Sequence, residues 1–107
     1  MVMVDISVFE NLLVSGQDNA LLRYSLGQAY LKEGESSSAI EHFKKAVEQD
    51  PTYSAAWKLY GKALVELDRR QEAISVYEQG IQVAEQKGDK QAAKEMIIFL
   101  KRLRKDT

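Results

Sequence analysis

Any chemistry performed by this chain would have to come from a short list of side chains. His42 is its only histidine, set beside Glu41 and Phe43 with Lys45 close behind. A histidine base needs a hydroxyl or thiol to activate and an acid to orient it. The chain has no Cys, and no Ser or Asp is spaced around His42 in a triad pattern. Its helical period instead predicts a partly exposed structural position. Glu41, Glu48 and Asp50 lie on or just after one helix and form no paired catalytic constellation. Gly34, in "KEGES", lacks the further glycines and the Lys-Ser/Thr pair of a phosphate loop. One His without Cys leaves too few ligands for a multi-histidine or thiolate metal centre. Neither enzymatic activity nor a cofactor is expected. Charges suited to non-covalent recognition remain: Lys58 and Lys62, one helical turn apart, and the basic end "FLKRLRKDT", residues 99–107.

These side chains must be positioned by a small scaffold. A chain of 107 residues supports one domain with a modest core. The net charge of -1 argues against a body built to seek polyanions, although the two ends differ: residues 1–50 carry eight acidic and four basic side chains, residues 51–107 eight and eleven. The absence of Cys excludes a disulfide framework. "MVMVDISVF" has neither a basic region nor a small-residue cleavage site, and nothing approaches the roughly 18 consecutive apolar residues of a membrane span. A cytoplasmic address is therefore expected, without membrane insertion.

The organisation shows itself as a period. Ile6, Ile40 and Ile74 recur at one constant interval, and the same interval separates Phe9, Phe43 and Tyr77, and again Leu13, Val47 and Ile81. Three segments thus present one apolar stripe at i, i+3 and i+7. A second series in the same register pairs Gly27 with Gly61, Tyr30 with Leu64, and Ala39 with Ala73. Helices are predicted near 4–14, 18–33, 36–49, 52–67, 70–86 and 89–104. Asp18 or Asn19, Ser36 or Ser37, and Thr52 or Ser54 are the expected N-caps. Gly16, Gly34 and Gly88 mark turns, and Pro51 ends one helix while fitting the start of the next. Gly27 and Gly61 each cost about 1 kcal/mol of helix propensity relative to Ala, which predicts close helix contacts there. Ala39, Ala46, Ala73 and Gly80 serve the second helix of each pair in the same way.

This pattern resembles the tetratricopeptide repeat family, whose motif runs W-x2-L-G-x2-Y, A-x3-F, A, P. Leu26, Gly27, Tyr30, Ala39, Phe43, Ala46 and Pro51 match it, with Arg23 in place of Trp. In the next unit Trp57, Gly61, Ala73 and Tyr77 match; Tyr60 and Leu64 are conservative departures, Gly80 replaces Ala, and Glu85 stands at the Pro position. The resemblance implies an all-α fold of antiparallel helix pairs stacked as a short right-handed solenoid, a single domain over 1–107. It divides into a partial unit at 4–14, full units at about 20–53 and 54–87, and a capping helix at about 89–104. Ala92, Ala93, Met96, Ile97, Leu100 and Leu103 would face inward on that last helix, and Lys90, Lys94, Lys101, Arg102 and Lys105 outward.

Family members commonly hold a peptide or partner protein on the concave face formed by the first helix of each pair. By the resemblance, that groove would carry Tyr24, Gln28, Leu31, Lys32, Lys58, Lys62, Val65 and Glu66. The mix suits an extended segment of acidic or carboxylate-terminated character, although i, i+4 lysines are also what a plain solvated face carries. The clamp used by a subgroup for chaperone tails is not matched: its positions hold Tyr24, Gln28, Leu59, Asp89 and Ala93. A start at residue 54 matches Lys58 alone. Trp57 and Tyr60 are expected in the core, Tyr24 on the surface. Asp68, Arg69, Arg70 and Glu72 read as local charge complementarity, and the basic end as a soluble helix terminus rather than a nucleic-acid site. The expected function is protein binding, with self-association through the apolar start and the last helix as the alternative.

Overall fold

The computed structural model describes residues 6–105. These form six helices: α1 (Ile6–Val14), α2 (Ala20–Lys32), α3 (Ser36–Gln49), α4 (Ser54–Glu66), α5 (Arg70–Lys87) and α6 (Lys90–Lys105). Each helix packs on the next in the chain, and α2, α4 and α6 also touch one another in sequence along one side. The stack is elongated, 42 × 28 × 26 Å. Met1 to Val4, an apolar start expected to cover the first helix pair or to meet another chain, lie outside the described residues.

Small residues let the helices of a pair approach. A Cβ built on Gly27 would lie 2.6 Å from the Phe43 ring, and one on Gly80 would lie 2.6 Å from Met96 Sδ and 2.8 Å from Trp57 Cβ. Gly61 lies equally hard against the Tyr77 ring. Ala39, Ala46, Ala56, Ala63, Ala73 and Ala84 are fully buried. Phe43, Trp57, Leu64, Tyr77 and Met96 join them in one continuous core, and Leu26 is fully buried as well. Interlocking of this kind is why a side chain added at Gly27 or Gly61 would overpack. Tyr30 and Tyr60 are only half-buried. Tyr60 stacks on Trp57 at 6.4 Å between ring centroids, and Trp57 Nε1 donates to the Pro51 carbonyl at 2.8 Å.

One turn geometry ends four of the helices. At Gly16, Gly34, Asp68 and Gly88 the chain takes a positive φ, and the following amide reaches back to a carbonyl in the last turn. Examples are Glu35 N to Tyr30 O at 2.9 Å and Arg69 N to Leu64 O at 2.9 Å, the bonds of the Schellman motif. Asp68 thus does the work of Gly34 one repeat later. The sequence marks it only as part of a charge cluster, of which the structure forms the Arg69–Glu72 ion pair.

The N-termini depart from expectation. Asn19 caps α2, its side chain accepting from Leu22 N. Neither Ser36 nor Ser37 caps α3, and neither Thr52 nor Ser54 caps α4; Glu35 and Tyr53 occupy those sites without a side-chain bond. Ser36 and Ser54 are instead the first helical residues, both buried, and their hydroxyls satisfy partners across the stack. Ser36 Oγ donates to Glu66 Oε2 at 2.9 Å, and Ser54 Oγ donates to Asp89 Oδ2. Tertiary bonds have displaced local capping because a buried hydroxyl needs a partner. Thr52 bonds Asp50 through both its amide and its hydroxyl, closing the turn at Pro51.

At the C-terminal end, Ala92, Ala93, Met96, Leu100 and Leu103 are buried under α6, Ile97 is half-buried, and its lysines are exposed. No helix among the described residues is long and apolar enough to cross a membrane.

Candidate functional site

Three of the eight groove residues suggested by the sequence meet in one cleft. Lys62, Val65 and Glu66 of α4 face Phe99, Arg102 and Leu103 of α6 across an opening of about 430 Å³, with Tyr77 of α5 also lining it. On each helix the lining residues fall at i, i+3 and i+4, the spacing of one helical face. The two helices are held together at their N-terminal halves. Ser54 bonds Asp89 there, and Lys58 Nζ lies 3.2 Å from Glu95 Oε2. Their C-terminal halves carry the cleft.

The walls are mostly carbon: Val65 is 39% exposed, and the Phe99 ring lies 5.8 Å from that of Tyr77. Burial pushes the Tyr77 hydroxyl up to about 12, so it stays neutral. Charge enters through Lys62 and Arg102, both exposed, and through Glu66, which Ser36 holds.

The other groove residues behave differently. Lys58 is not the free companion of Lys62 that their spacing suggested, because α6 places Glu95 against it. The Gln91 amide and the Lys58 ammonium together hold the Glu95 carboxyl below the usual range. Tyr24 is half-buried rather than a surface aromatic, its ring 4.9 Å from Tyr53 and 6.1 Å from Phe43. Leu31 is half-buried; Gln28 and Lys32 are exposed. These five do not line the cleft.

Phe99, Arg102, Leu103 and Tyr77 were missed as lining residues. One signal was available: Leu31, Val65 and Phe99 follow one another at the repeat interval, so α6 extends an apolar row that begins on the first helices of the repeats.

His42 also departs from the sequence reading. It is buried, 8% exposed, and its ring stacks on Tyr30 at 5.5 Å and 4°. Its Nδ1 lies 3.2 Å from an Arg23 guanidinium nitrogen, while Nε2 is 3.6 Å from Glu10 Oε1. Arginine can only donate, so Nδ1 accepts and the proton of the neutral ring belongs on Nε2. Glu10 also accepts from the Tyr30 hydroxyl at 2.9 Å. Arg23 grips Asp18 through two bonds, and Gln49 adds a third, which holds the Asp18 carboxyl far below its usual range. Burial lowers the His42 pKa, the Arg23 charge adds to this, and Glu10 opposes it.

This network fills the space that large apolar side chains take one repeat later. Trp57 and Val76 stand at the positions that Arg23 and His42 hold in the preceding unit, and both are buried. The network is the polar counterpart of a core contact. Among the described residues, no group of three or more His, Cys, Asp or Glu is placed to hold a metal ion.

Comparison with known proteins gives this architecture a family. Residues 6–80 match the profile of the family described as anaphase-promoting complex, cyclosome, subunit 3. The chain is 50% identical over 94 residues to the TPR repeat-containing protein PA0015 of Pseudomonas aeruginosa, covering 88% of this chain and 90% of that protein. It belongs to this family, of tetratricopeptide-repeat type. Among solved structures, protein BPP2914 of Bordetella parapertussis superposes with a TM-score of 0.84 at 38% identity, over 99% of this chain and 91% of that one. The second TPR domain of human RPAP3, solved in complex with the HSP70 peptide SGPTIEEVD, is similar at a TM-score of 0.76 and 27% identity, over 92% of this chain and 78% of that one. Tetratricopeptide neighbours of this fold thus include one that holds a peptide.

Proposed function

We propose that this chain is a non-enzymatic protein-interaction module that receives a peptide or a segment of a partner protein along the face formed by α2, α4 and α6. The observation that carries the reading is the cleft between α4 and α6, with carbon-rich walls and the exposed cations Lys62 and Arg102 at its edge. Concave apolar sites with a few fixed polar groups are the usual form of a binding site. The peptide complex of the RPAP3 domain lends the class of ligand.

Panning a random peptide library tests this. Wild-type chain should enrich binders that a Val65→Glu variant fails to retain, while a Lys58→Ala variant retains them. Enrichment that is the same on wild type and Val65→Glu, or none at all, would remove the groove from consideration.

A second reading is self-association, favoured by one feature. Helix α1 is predominantly apolar yet contains no buried residue, and Val8, Val14 and Leu21 are 53%, 85% and 65% exposed. Sedimentation across a wide concentration range decides this: a mass of one chain throughout would eliminate it.

A further inference from the structure

The α4–α6 cleft has a definite chemical preference. We infer that it takes an acidic partner segment carrying a large apolar anchor side chain, the anchor lodging among Val65, Tyr77, Phe99 and Leu103 and the acidic groups pairing with Lys62 and Arg102. The inference rests on the proposed interaction role and adds the class of ligand and its seat.

The anchor follows from the shape of the site. The opening of about 430 Å³ exceeds the volume of any single side chain, so a bulky apolar group can enter without displacing the buried Tyr77. Such a group removes apolar surface from water on both sides of the contact. Anchors that fill pockets of this kind supply most of the energy of peptide recognition.

The charge preference follows from which ions already have partners. Around the site, Lys58 is matched by Glu95, and Arg69 by Glu72. Arg104 is matched by Glu78. Lys62 and Arg102 form no ion pair or hydrogen bond among the described residues. They stand on opposite walls, one on α4 and one on α6. The one carboxylate of the lining, Glu66, accepts from the neutral Ser36 hydroxyl and keeps its charge, so two cations stand against one carboxylate there. A ligand bearing carboxylates beside its anchor therefore meets two unmatched cations, and a basic ligand meets repulsion from both. Arg102 can grip a carboxylate through two parallel bonds, while Lys62 supplies a point charge.

The test uses the full chain and three synthetic probe peptides of equal length. The first carries two leucines one helical turn apart among glutamates and aspartates. The second keeps the leucines and replaces the acids by lysines. The third keeps the acids and replaces the leucines by serines. Binding is read by fluorescence anisotropy, and the site by chemical-shift changes in isotope-labelled protein.

Only the first probe should bind, shifting Val65, Phe99 and Leu103. A Lys62→Glu, Arg102→Glu variant, altered only at exposed positions and checked for unchanged helicity, should bind it about tenfold or more weakly, as loss of close charge pairs at an interface typically does. Stronger binding of the lysine probe, or undiminished binding of the serine probe, overturns the ligand class. Binding of the first probe with shifts confined to Tyr24 and Gln28 overturns the seat while leaving the interaction role intact. Absence of binding by all three overturns the inference, and the library selection then decides separately whether the groove binds any peptide.

Discussion

The ring of Phe43 lies over Gly27 so closely that a Cβ on the glycine would sit 2.6 Å from Phe43 Cδ1. Replacing Gly27 by Ala sets two effects against each other. Helix propensity improves by about 1 kcal/mol, while overpacking costs about 1–3 kcal/mol. Phe43 is fully buried and has nowhere to retreat, so overpacking wins. Gly27→Ala should lower the stability measured by urea unfolding, and Gly61→Ala should do the same against Tyr77. A midpoint that rises in both variants would show that the rings yield freely.

Asp68 offers the opposite case. Its φ of 58° places an L side chain in the left-handed region that its repeat counterpart Gly34 occupies without a steric cost. Asp68→Gly should stabilise the chain by about 0.5 kcal/mol, because relief of that conformation outweighs the added freedom of glycine in the unfolded chain. Thermal unfolding checks the sign, and a lower midpoint would mean that the aspartate side chain contributes more than its backbone costs.

Arg23 and His42 act as a unit. Arg23→Trp alone should cost about 1–3 kcal/mol, since it strips the donor from a buried imidazole and releases Asp18. Adding His42→Val recreates the Trp57 and Val76 pairing of the following repeat, and should recover about 1 kcal/mol or more of that loss. Denaturation of both single variants and the double variant measures the coupling directly. Strictly additive effects would refute it.

The same contact makes stability depend on pH. His42 has a folded pKa below its ordinary value of 6.5, chiefly through burial. The unfolded chain therefore binds the proton more readily, and the contribution of His42 is complete above 6.5 and lost as pH falls through that value toward the folded one. Asp18, depressed far below 3.8, contributes throughout this window and loses its share only in stronger acid. Stability should decline as pH falls from neutrality through 6.5, and His42→Val should flatten the slope. As the only histidine, His42 gives a clean imidazole signal by NMR. A titration midpoint above 6.5 would sink the argument.

Much of this protein was legible from spacing alone. A single repeat interval places Ile40 with Ile74 and Gly27 with Gly61, and such a register leaves one economical solution, helix pairs repeated along a stack. Family and fold class follow from that register because helix packing is dictated by which residues share a face. Burial of Leu26, Phe43, Leu64 and Tyr77 was readable for the same reason.

What the sequence could not decide was which partner each polar group finds across the stack. Ser36 and Ser54 look like caps in sequence, and only the fold brings Glu66 and Asp89 to their hydroxyls. Lys58 and Lys62 look like twins one turn apart. The placement of α6 neutralises the first with Glu95 and sets the second beside a cleft with Arg102 on the far wall. His42 looks half-exposed until Tyr30, Arg23 and Glu10 close around it. Apolar periodicity is a local property that survives in one dimension; the pairing of charges and hydroxyls between residues far apart in the chain exists only once the helices are stacked.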